Sequence, residues 1–388
     1  MKFHQLRFWD GISDELADAD ITIEIHEDRF LLSESATHSA VDRDFAGCFA
    51  IPGLIDAHVH LCLDPEVRDP LAHGKVPRDE QLAAMTTRVG QMLQAGITTA
   101  RDLGGGKWLE LEIRDRIAAG EIPGPRLLCA GQPVTSPGGH CHFWGGEAES
   151  AEEIQQVVER QIRRGADLIK VMATGGNLTP GSKPSDSQFD EKRLSGVVSL
   201  AGQAGLLTAA HCHGAQGIGE AVRAGINTIE HCSWVGEEGW GKHYNADVVA
   251  DMAKAGTWVS PTVNKGWNRY LDNPSEHRER VRENFRRMRE AGVKFIASTD
   301  AGIPGVYHHH LPLALPVFAF FLAATPAAVL RTATSECAEA LGLGKVTGQI
   351  ASGYAADMVI YDKNPLTDLG VLAQPVAVVA KGQLTELG

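Results

Sequence analysis

Residues 51–60 read IPGLIDAHVH, an apolar run that ends in two histidines two positions apart. On a strand, residues i and i+2 point to the same face, so His58 and His60 would present both imidazoles from one strand end. The spacing alone says little. With 16 histidines among 388 residues, chance gives about 0.7 His-x-His pairs, and this chain has four: His58/His60, His140/His142, His211/His213 and His308/His310. Two hydrogen-bonded structural histidines are the competing reading of such a pair. The place of His58 and His60 at the end of an apolar run is what sets them apart.

Seven further short apolar runs follow: Thr98 to Leu103, Arg126 to Ala130, Asp167 to Ala173, Leu207 to His211, Thr228 to His231, Thr257 to Thr262 and Lys294 to Thr299. Helix-like segments lie between them, among them Ala151 to Arg164, Glu191 to Ala204, Gly217 to Ala224 and His277 to Glu290. Short strands alternating with amphipathic helices mark βα units and a parallel sheet. Eight units over about 290 residues fit an α/β fold of the (β/α)8, or TIM-barrel, type over residues 51–342. A doubly wound sheet fits the alternation as well.

The two ends read differently. Short alternating stretches, ITIEIHEDRFLL near the start and PVAVVAKGQL near the finish, predict antiparallel strands. Neither end is long enough for a stable sheet alone, so residues 1–50 and 343–388 are expected to pair into one small composite β-sandwich domain.

Composition narrows the function classes. A formal net charge of −13 and a pI near 5.6 argue against nucleic acid or an anionic membrane as partner, since phosphate recognition needs clustered Lys and Arg. A small molecule is the expected ligand. Seven cysteines, with no CxxC pair, point to reduced thiols, and the opening MKFHQLRFWDG lacks a signal-peptide apolar run, so a cytoplasmic location is expected. Residues 311–330 (LPLALPVFAFFLAATPAAVL) carry no charge, but three prolines interrupt them. They read as a buried core helix rather than a membrane span.

Other runs also end in chemistry-bearing residues: Lys170 in DLIKVMATGG, His211 in LTAAHCHG, His231 in TIEHCSW and Asp300 in FIASTDAG. In a (β/α)8 barrel the C-terminal strand ends converge on the active site. Singly, a strand-end histidine is more often structural, and a Thr-Asp turn often caps a helix. Lys170 is the exception, because burying an unpaired ammonium costs several kcal/mol.

The string IPGLIDAHVH, then Lys170, His211, His231 and STDAG, and late in the chain GQIASGYAADMVIYDKNPL, resembles the amidohydrolase superfamily, in its imidazolonepropionase-like and Xaa-Pro dipeptidase branch. The resemblance covers nearly the whole chain. It implies two divalent metal ions, zinc being the expected identity: His58, His60 and Asp300 on one, His211 and His231 on the other, and Lys170 N-carboxylated by CO2 as the bridge. A lysine kept neutral by burial is nucleophilic enough to add CO2, and two dications would stabilise the carbamate. The implied reaction is hydrolysis of an amide C–N bond by metal-activated hydroxide, with Asp300 as general base and then acid, on an N-acyl amino acid, a dipeptide or a related small amide. The alternatives are a mononuclear cyclic-amide hydrolase or deaminase, or an esterase or carbamate hydrolase on the same site. Relatives imply a homo-oligomer.

Substrate contacts are expected from TSPGGHCHFWGG. There the GGH histidine maps to His140, with His142 as a further donor; Lys183 in the following polar loop is available for a substrate carboxylate. His213 is expected to stand behind His211 where the strand ends, and Cys212 and Cys232 to pack outside the barrel. Trp234, Trp240, Trp258, Trp267 and Phe143 read as core packing ahead of pocket lining. Cys232 and the charge-free 311–330 run depart from the family pattern, so dipeptidase specificity is not carried over with the metal set.

Overall fold

A computed structural model describes residues 1–17, 21–33 and 43–387; parts of the expected 1–50 segment, residues 18–20 and 34–42, lie outside them. The eight expected runs are all strands, and all parallel: β1 (Leu54–Val59), β2 (Ile97–Asp102), β3 (Arg126–Cys129), β4 (Leu168–Met172), β5 (Leu207–Gly214), β6 (Thr228–Val235), β7 (Trp258–Ser260) and β8 (Lys294–Phe295). They do not form one unbroken ladder. β1 to β3 make a three-stranded sheet and β4 to β8 a five-stranded one, linked by single bridges between Val134 and Val171 and between Val59 and Ala301. After β3, Gly131 adopts a φ of +72° and Pro133 has no N–H to give, so the ladder toward β4 is interrupted.

The opening run belongs to two sheets. Phe49–Pro52 pairs antiparallel with Met358–Tyr361, and β1 starts only at Leu54. Gly53 makes the crossing possible, because a Cβ there would stand 2.0 Å from the Thr98 hydroxyl. The sheet that holds Phe49–Pro52 has the order Gln383–Glu386, Ala377–Ala380, Met358–Tyr361, Phe49–Pro52, Arg7–Phe8. A second, four-stranded sheet is built from Arg29–Ser33, Thr22–His26, Lys2–His4 and Arg43–Asp44. Side chains from both ends of the chain, among them Phe3, Ile23, Phe30, Met358, Ile360 and Val379, share one apolar cluster.

The helices begin and end where local chemistry directs. In Ala151–Arg164, Ser150 accepts from the Glu153 N–H while Glu153 reaches back to the Ser150 N–H, and Gly165 closes the helix at φ +80°. Ile154, Val157 and Val158 bury its inner face. The apolar 311–330 stretch is two helices rather than one, Leu311–Leu322 and Pro326–Thr332, parted where Ala323 turns left-handed and Pro326 opens the second. Leu311, Leu315, Phe318 and Phe321 pack into the main core. Among the described residues no single helix is long and apolar enough to cross a membrane; a pair bent by 117°, Leu311–Leu322 with Pro326–Ala340, passes that test by length and composition only.

Candidate metal centre

At the C-terminal ends of the strands lies a cavity of about 970 Å³, lined by His58, His60, Lys170, His211, His231 and Asp300. Six residues spread over more than 240 positions of sequence therefore meet in one place. Five of them, all but Lys170, fall with His213 into two groups, each with donor atoms within 4.8 Å of one another: His58, His60 and Asp300, and His211, His213 and His231.

In the first group every lone pair converges. His58 Nδ1 donates to Glu230 Oε2 at 2.9 Å and His60 Nδ1 donates to the Gly104 carbonyl at 2.9 Å, so each ring turns Nε2 into the cavity. The two Nε2 atoms stand 3.2 Å apart, with Asp300 Oδ1 3.2 and 3.4 Å from them. So anchored, the two rings bring two nitrogens up against one carboxylate oxygen, a set of three donor atoms that suits a cation. Burial pushes the Asp300 carboxyl up, but the neighbouring His58 and His60 hold it well below the usual carboxylate range.

In the second group the anchors are uncharged. His211 Nε2 donates to the Gly175 carbonyl at 3.0 Å, leaving Nδ1 free; His231 Nδ1 pairs with Thr262 Oγ1 at 2.8 Å and His213 Nδ1 with Ser233 Oγ at 2.9 Å. Burial drives His211 and His231 well below the usual imidazole range and His213 to about 4, so these rings are neutral and able to ligate. The His231 ring lies 5.3 Å from that of His58, which brings the groups side by side. His231, Cys232, Thr262 and Asp300 all hold positive φ, between +50° and +68°. Backbone strain of this kind collects at functional sites.

Lys170 is 1% exposed, and its Nζ has no hydrogen-bond partner. Burial lowers its pKa to about 8, and its charge bears on Asp300 in one group and on His211 and His231 in the other. Glu230, the nearest buried carboxylate in effect, is already engaged by Arg101, Thr228 and His58. An orphaned amine between two sets of lone pairs fits the donor chemistry of a two-metal site, since both groups offer only nitrogen and oxygen atoms suited to a borderline dication.

The remaining expected residues divide. His140 lines the cavity with its ring 4.4 Å from His211, and burial takes its pKa to about 3. Gly176 admits that ring, for a Cβ there would lie 2.5 Å from it. His142 sits in a short 3-10 turn against Phe143, and Lys183 is exposed; neither lines the cavity. His213 was expected behind the end of β5, but the strand runs on to Gly214 and turns it into the cavity. Cys212 and Cys232 both pack in the core as expected, and Cys232, in a left-handed turn, also meets the cavity wall. Trp234, Trp240 and Trp267 line the cavity too, while Trp258 and Phe143 do not. Arg101 and Glu230, which went unremarked in the sequence, are charged residues inside apolar strands, the signal that drew attention to Lys170.

The family model of the amidohydrolase family matches residues 49–385. Ochratoxinase of Aspergillus niger is 27% identical over 383 residues, covering 90% of this chain and 76% of its own. An imidazolonepropionase of Chloroflexus aggregans is 25% identical over 389 residues, covering 90% and 84%. Among solved structures, a Xaa-Pro dipeptidase with bound methionine superposes with a TM-score of 0.84 at 26% identity, covering 99% of both chains. A prolidase complexed with N-methylphosphonate-L-proline gives 0.86 at 25%, again over 99% of both. These neighbours give the two parallel sheets a TIM-barrel-type α/β setting. The chain belongs to the amidohydrolase family and is an enzyme that acts on carbon–nitrogen bonds.

Proposed function

We propose that this enzyme is a metal-dependent hydrolase of a small amide, an N-acyl amino acid, a dipeptide or a related compound, working with two divalent ions, zinc being the expected identity. The observation that carries the reading is the convergence of His58 Nε2, His60 Nε2 and Asp300 Oδ1 within 3.4 Å. His58, His60 and Asp300 would hold one ion, His211 and His231 the other, and Lys170, carboxylated by CO2, would join them. Bound there, the ions would acidify a water and polarise the scissile carbonyl.

The chain's own residues supply the rest. Asp300, kept ionised, takes a proton from the attacking water and returns it to the leaving nitrogen. His140, held neutral beside His211, donates or accepts a single hydrogen bond to the substrate without adding charge. Trp144, Trp234, Trp267 and Phe285 form apolar walls in a cavity near the upper end of the usual ligand-site range, which supports a substrate with a bulky apolar group. The two ends of the chain, 1–50 and 343–388, are read as one composite β-domain beside the 51–342 unit, a reading supported by their shared apolar cluster.

Elemental analysis of protein purified without chelator, joined to a screen of N-acyl amino acids and dipeptides, tests the proposal. Two equivalents of metal and turnover of an amide that stops on chelation are expected. Full activity in metal-free protein would overturn it.

A further inference from the structure

The anchors of the proposed ligands are unequal. His60 and His211 lean on backbone carbonyls and His231 on a hydroxyl, whereas His58 leans on the carboxylate of Glu230. Glu230 is fully buried and does not line the cavity, so it meets no substrate. Its Oε2 takes the His58 Nδ1–H at 2.9 Å; its Oε1 takes Arg101 Nη2 at 2.8 Å and the Thr228 hydroxyl at 2.7 Å. Arg101 is itself buried at 3% exposure, and its Nε donates at 2.7 Å to the carbonyl of Ala57, the residue before His58. One guanidinium thus grips both the backbone leading into His58 and the carboxylate beneath the His58 ring.

We infer that Glu230 is a positioning residue for His58, with Arg101 and Thr228 holding its carboxylate so that Nε2 is the atom His58 offers to a metal ion. The inference rests on the metal reading above. A carboxylate behind a ligating imidazole fixes the tautomer and the ring plane and raises the basicity of the far nitrogen. Burying an ion pair such as Arg101–Glu230 gives little net stability, because desolvation offsets the attraction, so fold stability is a poor account of this cluster. Glu230 also precedes His231 on β6 and, unlike His231, does not line the cavity. Two consecutive residues of one strand therefore serve both groups, one as an anchor for the first and one as a member of the second.

The experiment is a titration of chelator-stripped full-length protein with Co²⁺, following visible absorption and equilibrium dialysis. Wild type is expected to take two equivalents. In Glu230→Gln one equivalent should weaken by about 10–100-fold while the other is unchanged. Asp300→Ala, which removes a donor of the first group only, identifies which equivalent is affected. Thr228→Val removes one hydroxyl from the carboxylate at nearly constant volume, should weaken the same equivalent by less, and carries the test if Glu230→Gln does not fold. Unchanged binding of both equivalents in Glu230→Gln and Thr228→Val would overturn the inference, and so would equal loss of both, which is the mark of a general structural role. A wild type that binds no Co²⁺ would instead overturn the metal reading itself.

Discussion

The first group of donors contains a carboxylate and is braced by another; the second consists of neutral imidazoles braced by a carbonyl and two hydroxyls. A dication in the first group meets the charge of Asp300 directly, with Glu230 behind His58. One in the second group meets no anion among His211, His213 and His231. The difference gives Lys170 its place. A buried, unpartnered amine beside a group short of negative charge is where a carbamate would supply what the imidazoles lack. The two halves then depend on different residues, and each can be broken separately.

The largest effect is expected at Asp300. Asp300→Asn removes the anionic donor of the first group and the proton carrier together, so kcat/KM on the amide chosen by the substrate screen should fall by about 10³-fold. Retention of a tenth of wild-type activity would mean that the first group is not the working half. Next is Lys170→Ala. Metal content should drop from two equivalents to one, with the second group emptied and the first retained, and propionate should restore part of the lost binding by standing in for the carbamate. Thermal stability should not fall, since the change removes an unpaired buried amine, although the cavity it leaves offsets some of that gain. Two tightly held ions in this variant would remove the reason for separating the halves. Thr262→Val, which deletes the partner of His231 Nδ1, should weaken only the second group, by about tenfold in a direct metal titration.

Much of this arrangement could be read from strand ends. His58, His60, Lys170, His211, His231 and Asp300 stand close together because eight parallel strands end on one side, and period and spacing reveal strand ends well. What escaped depends on the third dimension. His213 was set aside because β5 seemed to stop at His211; pairing with β6 carries the strand three residues further, and nothing local announces that. The division of the 51–59 run at Gly53 likewise depends on a neighbour, Thr98. Arg101 and Glu230 were legible in principle. A charge within an apolar strand needs a partner; TTARD carries Arg101 and Asp102, and TIEH carries Glu230. Applied to every run rather than to Lys170 alone, that rule would have marked both, together with Asp56 and Asp102.

The smallest expected effect concerns the metal-free chain. Burial lowers His213 to about 4 and His140 to about 3 from an ordinary value of 6.5, so both are neutral in the folded state at pH 6. As pH falls below about 6.5 the unfolded chain takes up these protons first. Stability is therefore lost through the window from 6.5 down to about 4 for His213 and about 3 for His140, at no more than about 1.4 kcal/mol per pH unit for each ring. Urea unfolding of chelator-stripped protein at pH 7, 6 and 5 measures the slope. His213→Gln should flatten it by up to one ring's share, because glutamine takes up no proton in either state. If wild type and His213→Gln lose stability in parallel, His213 is not held neutral in the folded chain, and the second group is not a set of neutral imidazoles ready to ligate.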